Sequence, residues 1–173
     1  MRLFSSLLIL FIFLGGCSPA TLLDAIEESG REHTEILFED NNDNVVIFLS
    51  EDYTGQPMLS INTFSVDDSG YKYNSGSGEH SSDIDTSKIF EKIRVTSVGN
   101  NSFGALWGTV FLPNAETVNY SLEDENGDVI YTSSIEISEK NSVYQKLPED
   151  IYDHTKRLHY KILDDHNDVL VEW

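Results

Sequence analysis

Asp124, Asn126 and Asp128 place oxygen-bearing side chains at alternate positions, and Asp40, Asn42 and Asn44 do the same. That spacing is how a loop begins to wrap a calcium ion, but the helix-flanked calcium loop also needs glycine at its sixth position and glutamate at its twelfth. Counted from Asp124, those positions hold Val129 and Ile135; counted from Asp40, they hold Val45 and Glu51. Asp and Asn also populate tight turns for conformational reasons alone. Turns are therefore the expectation, with a weakly calcium-responsive structural protein as an alternative. The five histidines (His33, His80, His154, His159 and His166) form no His-x-x-x-His or His-Glu-x-x-His pattern, so no metal ligands are assigned. No Gly-x-Ser-x-Gly elbow and no Ser-x-x-Lys paired with Lys-Thr-Gly marks a nucleophile. The carboxylate pairs Asp67-Asp68 and Asp164-Asp165 sit in turn-like sequence, and neighbours on a strand point to opposite faces. Solvated turns are expected there, and an envelope hydrolase whose carboxylates meet only in space is the catalytic alternative. Tyr71, Tyr73, Phe103 and Trp107 are of the type that anchors interfaces. Core packing is the expectation for Trp107, while Tyr71 and Tyr73, on one side of a strand beside a glycine-rich loop, stay open between core and binding surface. No catalytic residue and no cofactor is assigned.

The remaining reactive side chain is Cys17, the one cysteine of the chain. Arg2 precedes an apolar run over residues 3–14, and Gly15 and Gly16 supply small residues before the cysteine. Such a run of roughly a dozen is too short for a membrane span, which needs about 20, and fits a secretory signal. Leu14-Gly15-Gly16-Cys17 resembles the lipobox of bacterial lipoproteins. The resemblance implies a diacylglyceryl group on the Cys17 sulfur, cleavage before it, and a membrane-anchored, extracytoplasmic protein. Residues 1–16 are then a signal peptide, and the mature chain has no thiol to form a disulfide.

Removing residues 1–16 leaves 157, a length for one domain or two small ones. Only Arg2 is lost with them, so 10 Lys+Arg stand against 30 Asp+Glu, a net charge of −20. That charge repels phosphate backbones and excludes nucleic acid as a partner.

These groups must be held by the elements the pattern implies. Leu22, Leu23, Ala25 and Ile26 lie on one helical face within residues 18–33, with Thr21 or Ser18 to cap the start and Gly30 to stop it. Residues 35–39, 45–50, 58–66 and 71–74 read as four strands of an antiparallel meander, giving a first unit over 17–74. Residues 75–88, rich in Ser and Gly, read as a linker or long loop. Over 89–173 strands are expected at 89–98, 105–112, 118–122, 129–132, 134–137, 143–146, 159–163 and 169–173. Asn126-Gly127 is a strong hairpin signal. Residues 120–130 echo residues 160–170: an apolar strand, an acidic turn, an apolar strand.

The fold class expected is thus mostly β (α+β), an N-terminal helix and meander followed by an immunoglobulin-like sandwich of short strands. The mature chain resembles small, functionally uncharacterised lipoproteins of Gram-positive bacteria. The likeness rests on His-Thr-Glu-Ile-Leu at 33–37, Val-Val-Ile-Phe at 45–48 and the aromatic-Gly pair Trp107-Gly108. It departs at Gly70-Tyr71-Lys72-Tyr73, where a Gly-Trp-Lys-Trp-like cluster is expected. The resemblance implies location and fold and transfers no activity. The function expected is a non-enzymatic, lipid-anchored binding module whose partner is a protein or an envelope component.

Overall fold

A computed structural model of the chain describes residues 19–85, 89–99 and 103–173. Cys17 and the signal segment lie outside the described residues, as do parts of the 75–88 segment and of the turn at 99–102. Helix α1 (Leu22–Glu28) starts where the Thr21 hydroxyl accepts from the Asp24 amide at 3.1 Å. It ends at Ser29 and at Gly30, whose φ of 93° favours glycine. Seven residues cannot hold a helix alone. Packing of Leu22, Ala25 and Ile26, all buried on one stripe, supplies the rest.

Strands β1 (Glu32–Asp40), β2 (Val45–Glu51), β3 (Pro57–Asp67), β4 (Gly70–Tyr73) and β5 (His80–Asp83) form an antiparallel sheet. The eleven-residue β3 serves two partners on one edge. Met58–Ile61 pairs with β5, and Phe64–Asp67 pairs with β4. The stretch expected as linker or loop, 75–88, therefore contains a strand. Its residues His80-Ser81-Ser82-Asp83 carry no apolar signal, and backbone pairing plus the 2.7 Å contact of the Ser60 and Ser81 hydroxyls hold it. Glu79, nearly buried, closes the same segment by pairing with Arg31 and accepting from the Tyr73 and Ser81 hydroxyls, both at 2.7 Å.

The second half continues with β6 (Phe90–Val98), β7 (Phe103–Phe111), β8 (Thr117–Glu123), β9 (Val129–Glu136), β10 (Ser142–Lys146), a short α2 (Glu149–His154), β11 (Arg157–Leu163) and β12 (Val169–Glu172). They build two sheets, ordered β10-β7-β6 and β12-β11-β8-β9. The mostly β, α+β class expected from sequence is what the chain adopts. The finer immunoglobulin-like label is not established: a constant immunoglobulin domain puts its fourth strand in the sheet of the first, second and fifth, whereas the fourth strand here, β9, pairs with β8. Residues expected as two strands, 129–132 and 134–137, are one continuous β9.

Alternating side chains turn the three sheets into layers. Val45, Val46, Ile47 and Phe48 of β2 are all fully buried. Val46 and Phe48 pack with α1, Phe64 and Tyr73, whereas Val45 and Ile47 face Val98, Ala105 and Trp107 of the second sheet. On β7, Leu106 and Val110 point the other way, into a core with Val118, Tyr120, Leu122 and Ile162 of the third sheet. The order is thus α1, first sheet, second sheet, third sheet, and β7 is buried on both faces. Polar bonds also join the first two sheets. Lys140 Nζ donates to the Ile36 carbonyl at 2.7 Å, Ser142 Oγ to the Leu37 carbonyl at 3.2 Å, and Lys146 pairs with Asp43.

Close approach explains two glycines. A Cβ at Gly108 would lie 2.0 Å from the Lys92 carbonyl oxygen, and one at Gly104 would lie 2.0 Å from Cγ of Tyr152 on α2.

Candidate binding surface

The strand register of the third sheet decides what its outer face carries. Ser134, Asn119, Lys161 and Glu172 pair across β9, β8, β11 and β12, and Thr132, Ser121 and His159 form the next row. Their neighbours Val118, Leu122, Leu158 and Ile162 point inward and form or pack against the core. The outward side chains line a concavity of about 760 Å³, with Trp173 at its end. Short Ser, Thr and Asn side chains on the adjacent strands β8 and β9 leave the floor low between the longer side chains of β11 and β12.

Its electrostatics are balanced. Lys161 Nζ lies 2.9 Å from Glu172 Oε1, His159 Nε2 lies 3.3 Å from Glu123 Oε1, and Arg157 lies 3.7 Å from the other Glu123 oxygen. Exposed pairs of this kind contribute at most about 1 kcal/mol each. They do leave a near-neutral patch on a chain whose net charge is −19 before processing. Among the described residues, no side-chain hydrogen bond ties up Asn119, Ser121, Thr132 or Ser134. The indole N–H of Trp173 donates to Glu91 at 2.9 Å, which steadies a ring that remains 68% exposed. Beneath the floor, burial and then the Glu91 charge push the Tyr160 phenol up to about 12. Burial also raises the Tyr120 phenol above its ordinary value, and its hydroxyl donates to Gln145 at 3.0 Å. Both phenols stay neutral, so the trough offers hydroxyl, amide, imidazole and ammonium groups to a polar ligand. Ser121 stands opposite His159, and among the described residues the two make no hydrogen bond.

The sequence candidates fall elsewhere. Asp124 Oδ1 accepts from the amides of Asn126 at 2.8 Å and Asp128 at 3.0 Å. Asp40 Oδ1 accepts from Asn42 at 2.6 Å and Asp43 at 3.0 Å. Asp67 accepts from the Ser69 amide and Asp164 from those of His166 and Asp168. These carboxylates are turned onto their own loops, and each organises a turn. His33 meets Glu51, His80 lies 3.4 Å from Ser97 Oγ, and His154 Nδ1 lies 2.7 Å from the Asp150 carbonyl. Asp164, Asp165 and His166 bring ligand-type atoms within 4.8 Å of one another, in an exposed hairpin turn. Of the aromatics, Trp107 is buried and donates to Thr96 at 2.8 Å. Tyr73 packs edge-on to Phe48 at 5.7 Å, and Tyr71 lies 6.0 Å from Phe64. Tyr73 is buried in the core, whereas Tyr71 packs against it and stays partly exposed. Phe103 sits under Lys146 at 4.5 Å. Of the sequence candidates among the described residues, only His159 enters the trough. Among the described residues no helix is long and apolar enough to cross a membrane.

No protein-family model, no curated protein and no solved structure matches this chain.

Proposed function

We propose that the protein is a lipid-anchored, extracytoplasmic binding module, non-enzymatic, that holds an extended polar envelope component or protein segment in the trough of its third sheet. The observation that carries the reading is the row of unpartnered Asn119, Ser121, Thr132 and Ser134 beside the charge-balanced Lys161 and His159. Ligand sites combine a concave shape with a few convergent polar groups, and in this concavity Lys161 is balanced by Glu172 on a strongly acidic chain. The Leu14-Gly15-Gly16-Cys17 sequence supports the anchor. Two acyl chains give stable anchoring because each buried CH₂ contributes about 0.8 kcal/mol.

Crosslinking in intact cells, followed by mass spectrometry, tests the binding reading. Capture by the native chain and its loss in a Ser121→Arg, Ser134→Arg variant, which fills the trough, is the expected result. Capture that is indifferent to the filled trough contradicts it. Cys17→Ser is expected to release the protein from membranes, and retention after a salt wash contradicts the anchor.

A further inference from the structure

We infer that the fold is mounted with its α1 layer toward the membrane, so that the third-sheet trough faces away from the bilayer. The inference rests on the anchored-module reading and adds the direction in which the site is presented. The chain is fixed to the body almost at once after Cys17. The Tyr71 amide of β4 donates to the Pro19 carbonyl at 3.0 Å, the Thr21 hydroxyl caps α1, and Leu22 is buried beneath it. Two residues span at most about 7 Å, so a lipid on Cys17 would tether the body within that reach of Pro19, which sits against β4 at the start of α1. The layer order then sets the distance. Sheets stack about 10 Å apart and a helix lies about 10 Å from what it packs on. The outer face of the third sheet is therefore roughly 30 Å farther out than α1.

The charge of the membrane-side layer limits how closely it approaches the lipid. Asp24, Glu27, Glu28, Asp67 and Asp68 are exposed there, against Lys72 as the exposed cation of that layer. Anionic headgroups repel such a face over about 8 Å at physiological salt, so the body stands off the lipid instead of lying along it.

The mature chain has no second cysteine, so Glu27→Cys and Ser134→Cys each add one labelling site to the acylated protein. Each variant, labelled with a fluorophore, is reconstituted into phosphatidylcholine–phosphatidylglycerol vesicles that carry a headgroup-nitroxide lipid. Loss of most of the fluorescence at position 27 and no loss at position 134 is expected. Vesicle-bound protein with equal quenching at both positions, or stronger quenching at 134, overturns the mounting alone. Protein that does not associate with vesicles overturns the anchor and the mounting together.

Discussion

Replacing Trp107 with alanine tests whether the two halves share one core. The indole is 1% exposed and lies among Leu37, Val45, Ile47, Leu59 and Ile61 of the first sheet and Val98 and Ala105 of the second. Removing a buried Trp costs about 3–5 kcal/mol, and losing its bond to Thr96 adds about 1 kcal/mol. For a chain of this size 1 kcal/mol moves Tm by about 2–4 °C, so the expected fall is about 8–24 °C. Trp107→Phe keeps most of the volume and loses the hydrogen bond, and a fall well under half as large is expected. Circular dichroism gives the melt. Hydrogen exchange of β2 and β8, on opposite sides of the second sheet, shows which layers respond. Both strands are expected to lose protection together in one transition. A split melt in which β8 keeps its native protection would refute the reasoning, because the third sheet would then stand without the interface at Trp107.

Gly108→Ala drives a Cβ to 2.0 Å from the Lys92 carbonyl. The expected loss is about 1–3 kcal/mol or more, read as a lower denaturant midpoint. Asp124 is held below its usual carboxylate value of 3.8, first by the Asp128 amide; Asp52 and Asp67 are lowered mainly by the Thr54 and Ser69 hydroxyls. A depressed folded-state pKa gives stability that is complete above the unfolded value and is lost as pH falls through the folded one. The Tm difference between the native chain and Asp124→Asn is therefore expected to be constant near neutrality and to shrink below pH 3.8. A difference that grows in acid contradicts the turn role. Because the Asp124 and Asp40 oxygens already accept loop amides, Tm is expected to be the same in EDTA and in millimolar calcium; a clear rise with calcium contradicts that assignment.

Much of the fold is legible in the chain because burial and turn chemistry leave direct marks. The unbroken run Val45-Val46-Ile47-Phe48 reads as a strand covered on both faces, and the helix cap, the glycine stop and most strands follow from local pattern. The echo between residues 120–130 and 160–170 is a pair of hairpins in one sheet, with Tyr120 and Tyr160 as register partners. Both use a loop in which the first Asp bonds back to the fifth residue and the fourth takes positive φ, Gly127 in one and Asn167 in the other. The loops at 52–56 and 138–142 repeat the device with Gly55 and Asn141. Strand β5 was not legible because polar residues on an edge leave no periodic apolar signal. Helix α2, six residues long, was also missed, although Pro148 followed by Glu149 and Asp150 is a usable start signal. The trough is harder to read. Ser, Thr and Asn carry no motif, and the rows exist only through the pairing of strands distant in sequence, as with Ser121 opposite His159 and Asn119 opposite Lys161, about 40 positions apart. A partial signal was available in the alternation of small polar residues at 119 and 121 and at 132 and 134.

The most direct test of the trough as the binding face is a photo-crosslinking amino acid placed at Ser134, inside it, and separately at Ser65, exposed on β3 of the first sheet. In intact cells, one reproducible adduct from position 134, absent from position 65 and lost when Ser121→Arg is added, is the expected result. An adduct formed equally from both positions, or one from position 134 that survives Ser121→Arg, would contradict the account.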